Sequence, residues 1–336
     1  IQQKLLTGTY RLEGTRLVRW GDTEVEIWSS EDSLVLKAIA IVLGRELNPL
    51  ISTSCYHVAD RGGVPAAVQQ VNQAAAANTF VFRSDVKSYY ASMDHDLLLE
   101  LVRELVDDKG VMGLVEQYVR RTVRADGVYQ DVGRGICLGC SLSPLMGAIY
   151  LLPLDQALQE SGLDYVRYMD DWIVMAPTRW RLRRAISITN RVLECLKIRQ
   201  HPDKTFIGRI AATFTFLGFT FSESGIVSVA IATMAKFVAR CHRLYERNAP
   251  QRRVGDYRRR WLSWVRSVLT PASVESATDD KCEQAERPDQ PCLRLGYRST
   301  AYLICKGKVV EIKSEITAAG VPHQDRNDVN GITLES

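Results

Sequence analysis

The sequence predicts an α+β layer fold, because strands and helices are mixed along the chain without regular βαβ alternation. Three stretches carry that reading. Residues 79–86, Thr-Phe-Val-Phe-Arg-Ser-Asp-Val, read as a β-strand ending near an aspartate. Residues 164–176 read as strand, tight turn, strand, with Asp170 and Asp171 at the turn. Leu182, Ala185, Ile186, Val192, Leu193 and Leu196 then share one face of an amphipathic helix.

The remaining elements follow in order. Residues 1–30 read as short strands and turns punctuated by Gly8, Gly14 and Gly21. Glu31-Asp32-Ser33 opens a helix over 31–46. Residues 60–64 form a loop, and Pro65 at a first helical position opens an alanine-rich helix to Ala77. Helical patterns cover 95–107 and 111–123, an extended glycine-rich stretch covers 128–138, and one helix runs from Ser141 or Ser143 to about Glu160. Residues 213–221 and 225–231 read as a second hairpin. Two helical stripes follow, Met234 to Tyr245 and Tyr257 to Val268, with most arginines off the stripes. Residues 271–290 read as a linker or loop, 291–313 as a small β unit, and the last twenty or so as poorly ordered.

Composition narrows the function classes. The 336 residues are 46% hydrophobic and 24% charged, the balance of a soluble globular protein with more than one core. No apolar run approaches the roughly 20 residues that span a bilayer, and no basic-apolar-small leader marks secretion, so a cytoplasmic location is expected. The first residue is Ile1, so the native start need not be present. Eight scattered cysteines include one CxxC pair, Cys137 and Cys140, without two further closely spaced zinc ligands; they read as reduced, small apolar thiols. The net charge of +4 is uneven: residues 221–270 hold ten Lys/Arg against three acids, or +7, leaving −3 for the rest. A basic block beside a mildly acidic body suits either a polyanion handled in one place or a solvated helical face.

The chemistry centres on carboxylates. Asp170 and Asp171 put two like charges between Tyr168-Met169 and Trp172-Ile173-Val174, an apolar setting that calls for cationic compensation unless the turn is simply exposed. Asp85 ends a separate apolar strand. Phosphoryl transfer by two metal ions about 3.5–4 Å apart needs carboxylates from more than one element, and magnesium keeps several waters, so few protein ligands suffice.

At these residues the chain resembles reverse transcriptases. Tyr168-Met169-Asp170-Asp171 matches their YxDD box. Residues 82–90, Phe-Arg-Ser-Asp-Val-Lys-Ser-Tyr-Tyr, look like the first catalytic motif, and residues 135–144, ending in Ser143-Pro144, like the glycine-rich template and nucleotide motif. Asp203-Lys204-Thr205 resembles the lysine motif and Phe216-Leu217-Gly218-Phe219 the primer-grip hairpin. The five motifs stand in family order, and the likeness covers about residues 1–270, nearest to bacterial group II intron, retron, diversity-generating and defence-associated types.

The resemblance implies a right-hand polymerase whose ferredoxin-like palm is an antiparallel sheet backed by helices. It implies fingers over 1–80, palm over 81–222 with inserted fingers residues, a basic helical thumb over 223–270 and a C-terminal extension over 271–336. It implies RNA-directed DNA synthesis with two Mg²⁺, for which Mn²⁺ can substitute. Asp85, Asp170 and Asp171 would hold the metal, with the Val86 carbonyl as an extra ligand. Lys204 would protonate the leaving pyrophosphate, and Tyr90 would exclude a ribose 2′-OH. Leu138, Gly139, Arg61 and Arg19 would meet the nucleotide. Gly135, Ser143, Pro144, Phe216, Leu217 and Gly218 would meet template or primer, and Arg240, Arg243 and Arg258 the duplex phosphates. The implied partners are an RNA template, a DNA or RNA primer and dNTPs, with room for a cognate structured noncoding RNA or an accessory protein, and no membrane.

Two departures stand out. Ser33 replaces the usual fingers arginine, and Cys137-Leu138-Gly139 replaces Pro-Gln-Gly, so leucine stands where a glutamine normally packs near the nucleotide. That change points to altered fidelity, nucleotide choice or template range. Two other readings compete: an RNA-making or template-independent polymerase on the same palm, and a maturase-like RNA-binding scaffold without chemistry. Tyr90 weighs against the first, and Asp85, Asp170, Asp171 and Lys204 weigh against the second. No endonuclease motif or RNase H acid set is evident. A compact chain with an atypical glycine-rich motif suggests a non-mobile, defence-type or accessory enzyme.

Overall fold

A computed structural model describes residues 1–20 and 23–269, and beyond them three strands between 294 and 313. The elements of the first part are α1 (Gln2–Leu6), β1 (Thr15–Trp20), β2 (Thr23–Trp28), α2 (Ser30–Glu46), α3 (Gly63–Ala75), β3 (Phe80–Ser84), α4 (Tyr89–Ser92), α5 (His95–Arg103), α6 (Lys109–Val119), β4 (Thr122–Ala125) and β5 (Val128–Asp131). They continue with α7 (Ser143–Tyr150), α8 (Leu152–Glu160), β6 (Asp164–Tyr168), β7 (Asp171–Ala176), α9 (Arg179–Cys195), β8 (Phe206–Arg209), β9 (Phe214–Phe216), β10 (Phe219–Ser222), β11 (Gly225–Val229), α10 (Ile231–Glu246) and α11 (Gln251–Val268). The chain divides into two compact units, Ile1–Thr270 and Pro271–Ser336. In the second, β12 (Arg294–Tyr297), β13 (Thr300–Cys305) and β14 (Lys308–Lys313) form an antiparallel sheet in that order. The expected linker over 271–290 and the expected disorder of the last twenty residues lie outside the described residues.

The central sheet runs β6-β7-β3-β8, antiparallel throughout. Numbered within the sheet by chain order, that is 2-3-1-4, the strand order of a ferredoxin-like palm, as the resemblance implies. Phe82, Trp172 and Val174 are buried with Leu98, Leu99, Met146, Tyr150, Leu154, Leu182 and Leu193 in one core. Val81, Ile173 and Met175, on the alternate positions, are buried as well. Two further sheets, of four and three strands, belong to the same unit. One runs β2-β1-β4-β5, with β1 and β4 parallel, and the other runs β11-β10-β9.

Local chemistry sets the helix starts. Ser29, Asp94, Asp108 and Thr178 each accept a backbone N–H of the first turn and so cap α2, α5, α6 and α9. Helix α3 begins at Gly63, two residues before Pro65, after Gly62 turns the chain with φ 77°. The single helix expected to Glu160 is two, α7 and α8. Pro153 in the first turn of α8 has no N–H to give to Ile149, so the hydrogen-bond ladder breaks there. The helix expected over 111–123 stops at Val119, and β4 and β5 form a hairpin instead. Its turn residues Asp126 and Gly127 both have positive φ, 50° and 84°, the pattern of a type I′ turn.

Helix α3 ties the flanking parts together. Gln69 donates through Nε2 to the Val268 carbonyl of α11 (2.7 Å), and Asn72 Oδ1 accepts from the Ile226 amide of β11 (2.8 Å). Phe237 of α10 stacks on Trp261 of α11 with ring centroids 4.1 Å apart, and Phe219 of β10 meets Trp264 at 4.9 Å. No helix among the described residues is long and apolar enough to cross a membrane.

Candidate active site

Strand pairing brings the three aspartates together. Ser84, the last residue of β3, pairs with Trp172 of β7, so Asp85 and Asp171 stand on the next rung of the same ladder. Tyr168 pairs with Asp171, leaving Met169-Asp170 as a two-residue turn. Met169 holds φ 59°, a left-handed value that disfavours any side chain bearing a Cβ.

This strained peptide is gripped from both sides. The Met169 N–H donates to His57 Nδ1 (3.0 Å), and the Met169 carbonyl accepts from Arg167 Nη1 (2.8 Å). Arg167 is completely buried. It forks onto Asp155 (2.6 and 2.5 Å) and reaches the Ala148 carbonyl, while the Tyr165 hydroxyl donates to Asp155 (2.7 Å). The buried acid and the hydrogen bonds hold the Arg167 charge, and its pKa moves further up against the cost of burial.

A second set of contacts brings in the lysine. The His201 amide donates to the Asp85 carbonyl (2.9 Å), and the Ser84 hydroxyl shares a 2.7 Å hydrogen bond with Thr205. The 3₁₀ turn Pro202–Lys204 is thereby docked on β3. Lys204 Nζ then lies 2.5 Å from Asp85 Oδ2, a contact that raises the lysine pKa and keeps its proton.

Asp85 Oδ1 is buried and has no hydrogen-bond partner. Burial pushes the Asp170 carboxyl above its ordinary range, and the Asp85 charge adds to the rise. Burial likewise lifts Asp171 to about 6, with Arg83 opposing and the Asp85 and Asp170 charges adding. Among the described residues no three His, Cys, Asp or Glu side chains form a ready-made metal cage. The donors present are hard oxygens, electrostatically coupled, one of them orphaned. They fit a magnesium site completed by water and substrate phosphates rather than an all-protein cage. The bridge between Val86 and Gln200 uses the Asp85 carbonyl and the Lys87 amide, so the Val86 carbonyl is directed away from it.

Tyr89 and Tyr90 stack at 5.5 Å but differ in role. The Tyr89 hydroxyl donates to the Gly147 carbonyl (2.6 Å) and belongs to the core. The Tyr90 hydroxyl is buried without a partner, and burial, then Asp170, pushes it up to about 12.

Several of the residues singled out by the resemblance have partners within the chain. Gly135 is closed off by its own chain: an added Cβ would lie 2.8 Å from the Ala91 backbone, and its carbonyl already accepts from His95 and Arg121. Its missing side chain is thus required by packing against Ala91. Ser143 begins α7 as expected, but its buried hydroxyl donates to the Cys137 carbonyl (2.5 Å) and meets the Tyr118 hydroxyl (2.7 Å), which leaves it nothing for nucleic acid. The Pro144 carbonyl accepts from His57 Nε2 (3.2 Å). Arg61 donates to Asn48 Oδ1 and to the Asn48 and Ile51 carbonyls and so staples its own loop. Gly139 has open space around it, and Leu138 is 65% exposed. Arg19 is exposed on β1, opposite Glu24 in the strand register.

Phe216 is buried, Leu217 has φ 46°, and an added Cβ on Gly218 would meet Thr233 and Trp264 at 3.0 and 3.2 Å. The hairpin is therefore fixed against α10 and α11. Arg240 and Arg243 are exposed on α10, and Arg258 is half-buried on α11.

Arg83 escaped the sequence reading. Its Nη1 donates to the Thr215 carbonyl (2.7 Å) and meets the Thr215 hydroxyl (3.0 Å), while Nε contacts Asp171 Oδ1 (3.4 Å). A charged residue inside a strand, next to Phe82 and two positions before Asp85, is the signal that could have found it.

The family profile described as reverse transcriptase (RNA-dependent DNA polymerase) matches residues 33–221, more than half of the chain. The putative COX1/OXI3 intron 1 protein of Saccharomyces cerevisiae is 22% identical over 217 residues, covering 62% of this chain and 26% of that protein. Protein YkfC of Escherichia coli is 26% identical over 174 residues, covering 41% and 46%. The chain thus spans less than half the length of the curated relatives it matches. Among solved structures, apo telomerase from Candida tropicalis aligns at TM-score 0.51 and 12% identity over 65% of this chain and 49% of that one, a likeness of fold. With the profile running from α2 to β10 and the palm topology beneath it, the chain belongs to the reverse transcriptase (RNA-dependent DNA polymerase) family.

Proposed function

We propose that the chain extends a primer end with dNTPs on an RNA template at the Asp85–Asp170–Asp171 cluster. One observation supports this above all others: three mutually coupled carboxylates stand at one end of adjacent strands, with Asp85 Oδ1 buried and unpartnered. Magnesium, or manganese in its place, would supply Lewis acidity to the primer hydroxyl and charge neutralisation to the phosphates. Asp85, Asp170 and the Val86 carbonyl would hold it, with Asp171 kept in place by Arg83. Lys204, protonated and resting on Asp85, is positioned to give its proton to the leaving pyrophosphate. The Tyr90 ring would close the site to a ribose 2′-OH. Leu138 and Gly139 offer an open surface to the nucleotide, the Phe216-Leu217-Gly218 turn holds the primer end, and Arg240, Arg243 and Arg258 contact duplex phosphates without reading sequence.

The proposed division is fingers to residue 80, palm to 222, thumb to 270 and an extension beyond. The proposed lineage is bacterial, a reading supported by the match to YkfC of Escherichia coli.

The test is nucleotide incorporation by the full chain with and without an RNA template, using dNTPs and NTPs. The expected result is templated dNTP incorporation, lowered roughly 10²–10³-fold or more by Asp85→Asn or Asp170→Asn while duplex binding persists. Incorporation without template, or of NTPs at the dNTP rate, would replace this reading with the broader polymerase one. Biological function that survives Asp170→Asn would replace it with a scaffold.

A further inference from the structure

The Met169-Asp170 turn has a backbone need that its own hairpin cannot meet. Only the first of its two residues has positive φ, the pattern of a type II′ turn, and in that geometry the first N–H points away from the ladder. A half-buried N–H without a partner costs free energy comparable to a lost hydrogen bond. Glycine is the usual residue at such a position, and here it is methionine. The turn therefore needs an outside acceptor for the Met169 N–H.

His57 is that acceptor, and the chain carries it to the turn by a separate structural device. Residues 54–56 lie alongside β6 as an extra edge segment: the Arg167 amide donates to the Ser54 carbonyl (2.8 Å), and the Tyr56 amide donates to the Arg167 carbonyl (2.9 Å). This parallel bridge places His57 beside the end of β6, where its ring meets Tyr168 edge-on at 5.9 Å. An amide can only donate, so Nδ1 must be unprotonated. The ring proton is then on Nε2, which donates to the Pro144 carbonyl (3.2 Å) in the first turn of α7. The Cys55 thiol, 3.4 Å from Nδ1, is a second and weaker donor to the same nitrogen. A neutral imidazole thus links the aspartate turn to the start of the helix that follows the glycine-rich motif.

We propose that His57 is a positioning residue for polymerisation: by accepting the Met169 N–H at Nδ1, it holds the Asp170-Asp171 turn in its strained shape. The proposal rests on the reading of that turn as the metal-carrying hairpin. His57 touches no reacting atom, so its removal should lower turnover more than nucleotide affinity.

The test compares wild-type full chain with His57→Asn, His57→Gln and His57→Phe. Asparagine places Oδ1 near the position of Nδ1 and keeps the acceptor. Glutamine reaches the Nε2 position and phenylalanine fills the ring volume, but neither offers an acceptor at Nδ1. Two readouts are taken: dNTP incorporation kinetics on a primed RNA template, and hydrogen exchange of the Met169 amide in metal-free protein. His57→Phe is expected to lower kcat about 10- to 100-fold, as a small misplacement of reacting groups does, with dNTP KM changed less than about threefold. Its Met169 amide should exchange roughly tenfold faster, the loss of about one hydrogen bond. His57→Asn should stay within about threefold of wild type in both readouts, and His57→Gln should follow His57→Phe and serve in its place if that variant does not fold. Equal losses in His57→Asn and His57→Phe, or wild-type exchange at Met169 in the variants without an acceptor, would overturn the proposal. A wild-type chain without templated incorporation would instead sink the polymerase reading, and the exchange measurement would still decide the His57 contact.

Discussion

Lys204 and Asp85, 119 positions apart, meet in a 2.5 Å hydrogen-bonded ion pair at the centre of the carboxylate cluster. The lysine stands on the oxygen of a proposed metal ligand, so its removal should have two effects of opposite sign. Lys204→Ala should lower kcat by roughly 10²-fold, the lower end of what a positioned acid supplies. The same change should tighten Mn²⁺ binding to the nucleotide-free protein, because a competing cation is gone. Paired turnover and metal titrations check this, and a parallel weakening of both would assign the lysine to packing.

Asp171 gives a pH dependence with a definite sign. Its folded pKa of about 6 lies above the ordinary carboxylate value of about 3.9, so its contribution to stability is fully present below that value. That contribution is lost as pH rises through 6. The stability difference between wild type and Asp171→Asn should therefore shift against wild type between about pH 4 and pH 6.5, by on the order of 1–2 kcal/mol after allowance for the wet part of the side chain. Mg²⁺ at neutral pH should restore wild type more than the variant. Denaturant midpoints across the pH series, with and without Mg²⁺, measure this.

The orphaned Tyr90 hydroxyl separates bulk from polarity. Tyr90→Phe should keep discrimination against NTPs and leave the fold unchanged or stabilised by about 1 kcal/mol, since an unpartnered buried hydroxyl is removed. Tyr90→Ala should admit ribonucleotides. Incorporation of matched dNTP and NTP pairs tests both, and loss of discrimination in Tyr90→Phe would contradict a steric role.

Arg167 should matter to folding before it matters to chemistry. Arg167→Met leaves Asp155 buried without its cation, a change that costs about 3–5 kcal/mol in comparable settings. Replacing both partners with apolar residues should recover much of that stability but not turnover, because the Met169 carbonyl would still lack its donor. Urea unfolding of the single and double variants decides it.

Gly135→Ala separates packing from template contact. The new methyl would meet the Ala91 backbone at 2.8 Å, at φ 83°, so the variant should be destabilised by about 1–3 kcal/mol. Template affinity of the folded fraction should be unchanged. Weakened template binding in a stable variant would restore the sequence expectation.

What the sequence disclosed depended on how local each signal was. Asp85, Asp170 and Asp171 could be read because each sits at the end of a short apolar run, and the palm strands follow from those runs. The β4–β5 hairpin was equally open to reading, since Asp126-Gly127 is a strong type I′ signal, but the helical pattern ahead of it was carried too far. Pro153 likewise marked the break between α7 and α8. His57 and Arg167 were beyond reach, because their partners Met169 and Asp155 are fixed only once the strands pair; Arg83 could be flagged as a charge within a strand, but not its partner Thr215. The internal contacts of Ser143 and Gly135 were hidden for the same reason: a buried hydroxyl and a crowded glycine look in sequence like those that face a ligand.

The pairing of β3 with β7 joins residues 88 positions apart, as the Arg83–Asp171 contact records, and no shorter-range interaction rehearses it. Loop closure on that scale is slow compared with helix formation, so α5 to α8 can form while the acidic cluster does not yet exist. The proposed metal site would therefore arise in one step with the last central strand of the sheet, and a nascent chain that has emitted only β3 would hold Asp85 without Asp170 and Asp171 beside it.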